Sequence, residues 1–299
     1  MTQPEPSPNA QKAPDPLQGN GAIDAVIFDW AGTLIDFGSR APVIAFVEAF
    51  QRFQVAVTVD EAREPMGLPK RDHIKAMLTM PRVTALWCEA QGKKDVTEAD
   101  IDRVYETYLP LNQTIAADHA TLIPGALGAL RAIEAQGIKI GTTTGYVRSI
   151  MEGVLPRVAA QGFVPMSVVC ADDVPYGRPT AMAMLASFVA LGVSVPGRTV
   201  KVDDTVPGIE EGVAAGSWTI GLSLSGNEVG MTADEIAAHT TDRNDLDARK
   251  KAAAAKLTDA GAHYVVDTVA DILPVLDQIR GRIEAGEIPV PGTFETHQV

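Results

Sequence analysis

Five short stretches of this chain place reactive side chains at the ends of apolar runs or at the start of a helical pattern. Val26-Ile27-Phe28 leads into Asp29, followed by Ala31-Gly32-Thr33. Such a run reads as a buried parallel strand, and open α/β sheets hold their ligands beyond the strands' C-terminal ends. Val200-Lys201-Val202 leads into Asp203 and Asp204, and a hard divalent cation such as Mg2+ is held by one or two carboxylates with carbonyl and phosphate oxygens. A strand over 138–142 runs into Gly141-Thr142-Thr143-Thr144-Gly145-Tyr146, whose hydroxyls and free N–H groups at a helix N-terminus suit phosphate oxygens; each of the three threonines fits that role by position. Arg178, in Asp172-Asp173-Val174-Pro175-Tyr176-Gly177-Arg178-Pro179, offers a guanidinium fork matched to phosphoryl oxygens.

The fifth stretch is Met66-Gly67-Leu68-Pro69-Lys70-Arg71-Asp72-His73. Pro69 suits the first position of a helix, which puts Lys70 in the first turn and His73 one turn on along the same face. The partial positive charge at a helix N-terminus disfavours an ammonium and predicts a lowered pKa for Lys70, as an imine-forming lysine needs. Singly, each stretch also has an ordinary reading: a core strand ending in solvated Asp29, a helix cap, turn-forming Asp172 and Asp173, a surface arginine, a solvated lysine. Their combination in one chain favours chemistry.

The elements that must position these groups alternate along the chain. Strands are expected at 138–142, 167–170, 199–202, 218–221 and 263–266, each joined to the next by helical spacing, which predicts a parallel sheet covered on both faces. Between the first strand and the second, from Pro42 to about Thr121, the pattern is helical throughout, with segments at 69–78, 81–91 and 97–117. The expected organisation is an α/β core of 22–38 and 122–285, an all-helical cap of 39–121 inserted into it, a disordered N-terminal extension of 1–21 and a C-terminal tail of 286–299.

The chain has 299 residues, of which 46% are hydrophobic, enough for a sizeable core, and no apolar run approaches a membrane span. A net charge of −13 with no Lys/Arg block argues against nucleic acid as a partner. Cys88 and Cys170 lie far apart without metal-ligand spacing and read as buried, reduced thiols. The first 21 residues have neither a basic nor an apolar signal region, so the expected compartment is the cytoplasm.

Together, Phe28-Asp29-Trp30-Ala31-Gly32-Thr33, Met66-Gly67-Leu68-Pro69-Lys70 with His73, Thr143-Thr144-Gly145-Tyr146, Gly177-Arg178-Pro179 and Asp203-Asp204-Thr205 resemble the phosphonoacetaldehyde hydrolase (phosphonatase) family of the haloacid dehalogenase (HAD) superfamily. The resemblance covers about residues 22–283 and implies a HAD-like Rossmannoid sheet with a helical cap. It departs from the superfamily's usual Asp-x-Asp-Gly-Thr by placing Ala31 where its phosphatases carry a general acid, and it has Gly208 where a further aspartate is common. The family chemistry accounts for Ala31. It implies that Lys70 forms a Schiff base with phosphonoacetaldehyde and that Asp29 attacks phosphorus, so that C–P cleavage releases an enamine and no alcohol oxygen needs a proton.

The resemblance further implies Mg2+ held by Asp29, the Ala31 carbonyl and Asp204, with Asp203 as a possible substitute in the outer shell. Thr144, Gly145 and Arg178 are implied phosphoryl binders; Met66, His73 and Tyr146 are implied substrate-orienting residues; a homodimer formed through the cap is the implied assembly. It places the enzyme in 2-aminoethylphosphonate degradation. Gly208→Asp is expected to be tolerated if the metal shell has merely lost an optional acid there, whereas loss of magnesium affinity would show a differently arranged site. The alternative is a HAD phosphomonoesterase for a small phosphorylated metabolite, which leaves Ala31 and Lys70 unexplained.

Overall fold

A computed structural model describes residues 23–238 and 243–290. The expectations for residues 1–21, and for the tail beyond residue 290, fall outside the described residues. Six strands, β1 (Ala25–Phe28), β2 (Lys139–Thr143), β3 (Ser167–Val169), β4 (Thr199–Asp203), β5 (Trp218–Leu222) and β6 (Tyr264–Val266), form one sheet in the order β3-β2-β1-β4-β5-β6, all parallel. Every expected strand is present, with ends shifted by a residue or two. Val, Ile and Phe dominate β1, and all four of its residues are buried, as a strand flanked on both sides and covered on both faces requires.

Six helices lie between β1 and β2, and the first five of them are α1 (Arg40–Gln51), α2 (Val59–Arg63), α3 (Lys70–Thr79), α4 (Pro81–Gln91) and α5 (Glu98–Asp118). They enclose an apolar cluster of their own, built on Phe46, Phe50, Ile74, Trp87, Val104 and Tyr108. Local sequence fixes their ends. Thr58 with Glu61, and Thr97 with Asp100, form capping boxes at the starts of α2 and α5. Gly92, in the left-handed region at φ 63°, closes α4. The fold is thus a HAD-like parallel sheet with an all-helical cap. Two local expectations change. Pro42 lies inside α1 rather than at its start, and Pro69 is the N-cap of α3, so Lys70 is the first helical residue.

The rest of the chain supplies the layers on the sheet: α6 (Ala126–Ala135), α7 (Arg148–Ala159), α8 (Met182–Leu191), α9 (Val206–Ala214), α10 (Ala233–Ala238), α11 (Arg243–Asp259) and α12 (Ile272–Glu284). One face packs Val26, Phe28, Val200, Val202 and Ile220 against α6, α7 and α12; the other packs Ala25 and Ile27 against α8. Cys88 and Cys170 are both free, and burial pushes the Cys170 thiol up to about 12. No helix among the described residues is long and apolar enough to cross a membrane.

Candidate active site

Strand register brings the site together. Phe28 of β1 lies beside Thr142 of β2 and Val202 of β4, so the residues after them, Asp29, Thr143 and Asp203, emerge side by side at the C-terminal edge of the sheet. The three consecutive threonines then go to different places. Thr142 Oγ1 donates back to Ser167 O in the sheet at 3.1 Å; Thr143 points into a buried charged network; Thr144 lines the cavity above the sheet, its Oγ1 accepting from Tyr146 N at 3.0 Å.

The network beneath the cavity is ionic and closed to water. Arg178 Nη2 donates to Asp29 Oδ1 at 2.8 Å and pairs with Asp203 Oδ2 at 3.2 Å, while its Nε lies 3.3 Å from Glu211 Oε2. Lys201 Nζ pairs with Asp203 Oδ2 at 3.1 Å and Glu211 Oε2 at 3.0 Å and donates to Thr143 Oγ1 at 2.6 Å. Burial raises the Asp29 carboxyl to about 6, helped by the Asp203 charge and opposed by Arg178 and Lys201. For Asp203 the balance reverses: burial raises it, but Arg178 and Lys201 together outweigh burial and hold it below the ordinary carboxylate range.

Among the described residues Asp204 forms no ion pair. Thr33 Oγ1 donates to its Oδ1 at 3.2 Å and Asn227 N to its Oδ2 at 2.8 Å. Burial, then the Asp29 and Asp203 charges, push its carboxyl well above the ordinary range.

The cap supplies the opposite wall. Lys70 is 5% exposed, and among the described residues it has neither a hydrogen bond nor an ion pair; its Nζ lies 5.7 Å from the Phe46 ring centre and 5.2 Å from that of Tyr146. Burial is the largest cause lowering its pKa to about 8, with Asp29 opposing and Arg178 assisting. The expected direction holds, and desolvation rather than the helix end alone accounts for it. Met66, Gly67, Lys70, Thr144, Gly145, Tyr146, Asp29, Ala31 and Arg178 line one cavity. Among the described residues the buried Tyr146 hydroxyl has no hydrogen-bond partner, and burial raises its pKa well above the usual value, so it remains a donor.

The cap sits directly on the core around this cavity. A Cβ at Gly67, whose φ is 94°, would lie 2.5 Å from Thr205 Oγ1, and one at Gly177 would lie 2.6 Å from Pro69 Cγ. Glycine at both positions permits the close approach.

A family model described as haloacid dehalogenase-like hydrolase matches residues 23–216. Curated phosphonoacetaldehyde hydrolases from Paraburkholderia phytofirmans and Aeromonas hydrophila are 47% and 48% identical, each over 89% of this chain and over 99% and 95% of their own lengths. A crystal structure of a phosphonoacetaldehyde hydrolase-like protein from Oleispira antarctica superposes with a TM-score of 0.87 at 43% identity, covering 90% of this chain and 97% of that one. The chain belongs to the phosphonoacetaldehyde hydrolase family of HAD-like hydrolases. A β-phosphoglucomutase from Clostridium difficile, 15% identical with a TM-score of 0.61, shares the fold.

Magnesium fits this member of the family on its own donors. Asp29, Asp203 and Asp204 each offer an oxygen within 4.8 Å of the others, all buried. Asp203 is held by Arg178 and Lys201 and Asp29 by Arg178, whereas Asp204 forms no ion pair among the described residues; burial and the neighbouring carboxylates raise both Asp29 and Asp204, and a hard cation suits oxygen donors so placed.

Two expectations for this enzyme change. His73 is fully buried but absent from the cavity lining: its Nε2 lies 3.0 Å from Ala62 O, its ring stacks on Phe46 at 3.9 Å, and burial followed by the nearby Lys70 charge keeps it neutral. An aspartate at Gly208 is not accommodated, because a Cβ there would lie 2.0 Å from Asp203 Cγ; the Asp203 carboxylate occupies that space.

Sequence reasoning also missed Lys201, Glu211 and Thr143 as the base on which Arg178 rests, and Ser39, Pro42 and Thr205 as cavity lining. A lysine at the centre of an apolar strand was the available signal, since a charge buried there requires a partner.

Proposed function

We propose that this enzyme, like the relatives named phosphonoacetaldehyde hydrolase, acts on phosphonoacetaldehyde, and that it hydrolyses the C–P bond to give acetaldehyde and phosphate, with Lys70 forming a Schiff base and Asp29 an aspartyl phosphate. The observation that carries the reading is one cavity lined by both Asp29 and an unpaired, buried Lys70 whose pKa is lowered to about 8. The neutral Lys70 amine adds to the aldehyde carbon and water leaves, giving a protonated imine next to the C–P bond. A carboxylate oxygen of Asp29 attacks phosphorus; the C–P electron pair moves into the imine, forming an enamine on Lys70. Water then hydrolyses the aspartyl phosphate, the enamine carbon takes a proton, and hydrolysis of the resulting imine frees acetaldehyde and Lys70. Because the leaving group is an enamine, Ala31 needs no acidic side chain.

Arg178, fixed by Asp29, Asp203 and Glu211, stabilises charge on the phosphoryl oxygens, Thr144 and Gly145 present polar groups to them, and the free Tyr146 hydroxyl donates to bound substrate. Met66 packs beside the imine. Asp29, the Ala31 carbonyl and Asp204 would hold Mg2+, which would supply charge neutralisation at the site. The reading extends to a cytoplasmic homodimer acting in 2-aminoethylphosphonate degradation.

The experiment is borohydride reduction with phosphonoacetaldehyde, followed by peptide mass spectrometry. A stable two-carbon or phosphonoethyl adduct on Lys70 is expected. Its absence from folded, magnesium-loaded protein that still hydrolyses aryl phosphates would move the assignment to phosphomonoesterase.

A further inference from the structure

Arg63 is the last residue of α2 and is absent from the cavity lining, yet its guanidinium bridges cap and core. Nη1 donates to Gly38 O at 3.0 Å, to Asn227 O at 3.0 Å and to Asn227 Oδ1 at 3.1 Å, and Nη2 donates to Gly230 O at 3.1 Å. In return Asn227 Nδ2 donates to Arg63 O at 3.2 Å. Asn227 is 2% exposed, and its backbone N–H is the donor to Asp204 Oδ2. The loop is tightly packed at both ends of this link. A Cβ at Gly226 would lie 2.5 Å from Asp204 Cβ, and one at Gly230 would lie 2.6 Å from Arg63 Cζ.

The other side of Arg63 leads to the imine lysine. Ala62 O, next to Arg63, meets Nε2 of His73, one turn along the helix that Lys70 begins, and Met66 N donates to Arg63 O at 2.9 Å. Gly38 lies in the linker that enters the cap, and its N–H donates to Ser225 O of the same core loop at 2.8 Å. We infer that Arg63 is a positioning residue that registers Lys70 of the cap against Asp204 of the core, through His73 and Ala62 on one side and Asn227 on the other. It touches neither substrate nor metal. The inference rests on the imine reading for Lys70, and it gives buried, neutral His73 a structural part in that register.

A lysine at 63 keeps the charge but not the planar fork that serves acceptors on three segments. An alanine at 230 keeps the arginine but displaces its guanidinium. Two readouts apart from turnover test the link in Arg63→Lys and Gly230→Ala: magnesium affinity by calorimetry without substrate, and the rate at which borohydride traps phosphonoacetaldehyde on Lys70. Both should fall by roughly tenfold or more, since lost support of a metal ligand typically costs ~10–100-fold in affinity and a ~1 Å misplacement ~100-fold in rate. Arg71→Ala, which removes exposed ion pairs to Glu98 and Asp102, should leave both unchanged. Wild-type values for both readouts in either folded variant, or a change in trapping alone, would overturn the inference. If the wild-type enzyme gives no adduct, the imine reading fails instead, while the magnesium readout still decides whether Arg63 supports Asp204.

Discussion

Two lysines are buried at this site, and their surroundings are opposite. Lys201, fully buried in β4, touches Asp203, Glu211 and Thr143 within 3.1 Å. Lys70, 5% exposed at the start of α3, has two aromatic rings over its ammonium and, among the described residues, no carboxylate partner. Burial costs a charged amine the same in either place. Its carboxylate partners make Lys201 part of the base that orients Arg178; without such partners, burial lowers the Lys70 amine to about 8. The paired charges cluster at the edge of the sheet and the unpaired amine comes from the cap, and one cavity is lined by both.

The sharpest way to break this contrast is at Lys70. Lys70→Arg retains positive charge but cannot form an imine, and C–P cleavage should fall by at least ~10⁴-fold, the scale seen when an element of a covalent catalytic unit is removed. Lys70→Met should be as inactive yet no less stable. An amine held at about 8 but at 10.5 when unfolded binds fewer protons in the native state between those values, so its stability penalty is fully present below pH 8 and fades as pH rises toward 10.5. Removing it should raise stability at pH 7 by on the order of 1–3 kcal/mol, read as an increased Tm.

Lys201→Met should do the reverse. It leaves Asp203 and Glu211 with only Arg178 between them, and breaking a buried ion pair by deleting one partner costs about 3–5 kcal/mol. Thermal unfolding should show a large fall in Tm. An unchanged Tm would mean that Lys201 is not the counter-charge its contacts indicate.

The two lysines also differ in how far they could be read before the fold was known. Asp29, Asp203 and Arg178 were legible because each follows a strand or sits in a Gly/Pro loop, where local sequence alone says that the side chain reaches the sheet edge. Lys70 was legible from Pro69 and the helical spacing that follows. The role of Lys201 was not, because only Asp203 lies on its own strand, while its other partners come from α9 and from β2 and only the fold brings them together. The fate of the three threonines was hidden for the same reason: strand alternation sends Thr142 and Thr143 to opposite faces, and only the packing shows which face carries charge. Gly208 misled because a missing acid looks like an empty position, whereas Asp203 fills the space.

A smaller effect sharpens the comparison through pH. Imine formation needs neutral Lys70, so the rate of borohydride trapping should rise about tenfold per pH unit up to about 8 and then level off. The direction is fixed by the amine: lower pH protonates it and slows addition. A profile that keeps rising toward pH 10 would mean that water reaches Lys70 and that its aromatic cover does not desolvate it.

The smallest expected effect tests the packing beneath the carboxylates. Gly208→Ala adds one methyl group against Asp203, at a Cβ position 2.0 Å from both Cγ and Oδ2. That contact is far inside van der Waals distance, and neither α9 nor β4 is free to move away, so the Asp203 carboxylate must turn. Overpacking of this kind costs about 1–3 kcal/mol. Turning Asp203 also loosens its hold on Arg178 and Lys201 while leaving Lys70 untouched. Gly208→Ala should therefore lower Tm and weaken magnesium binding but leave the pH profile of Lys70 trapping where it was. A shift of that profile would show that the fixed charges of the sheet and the titrating amine of the cap are coupled more closely than their separate surroundings imply.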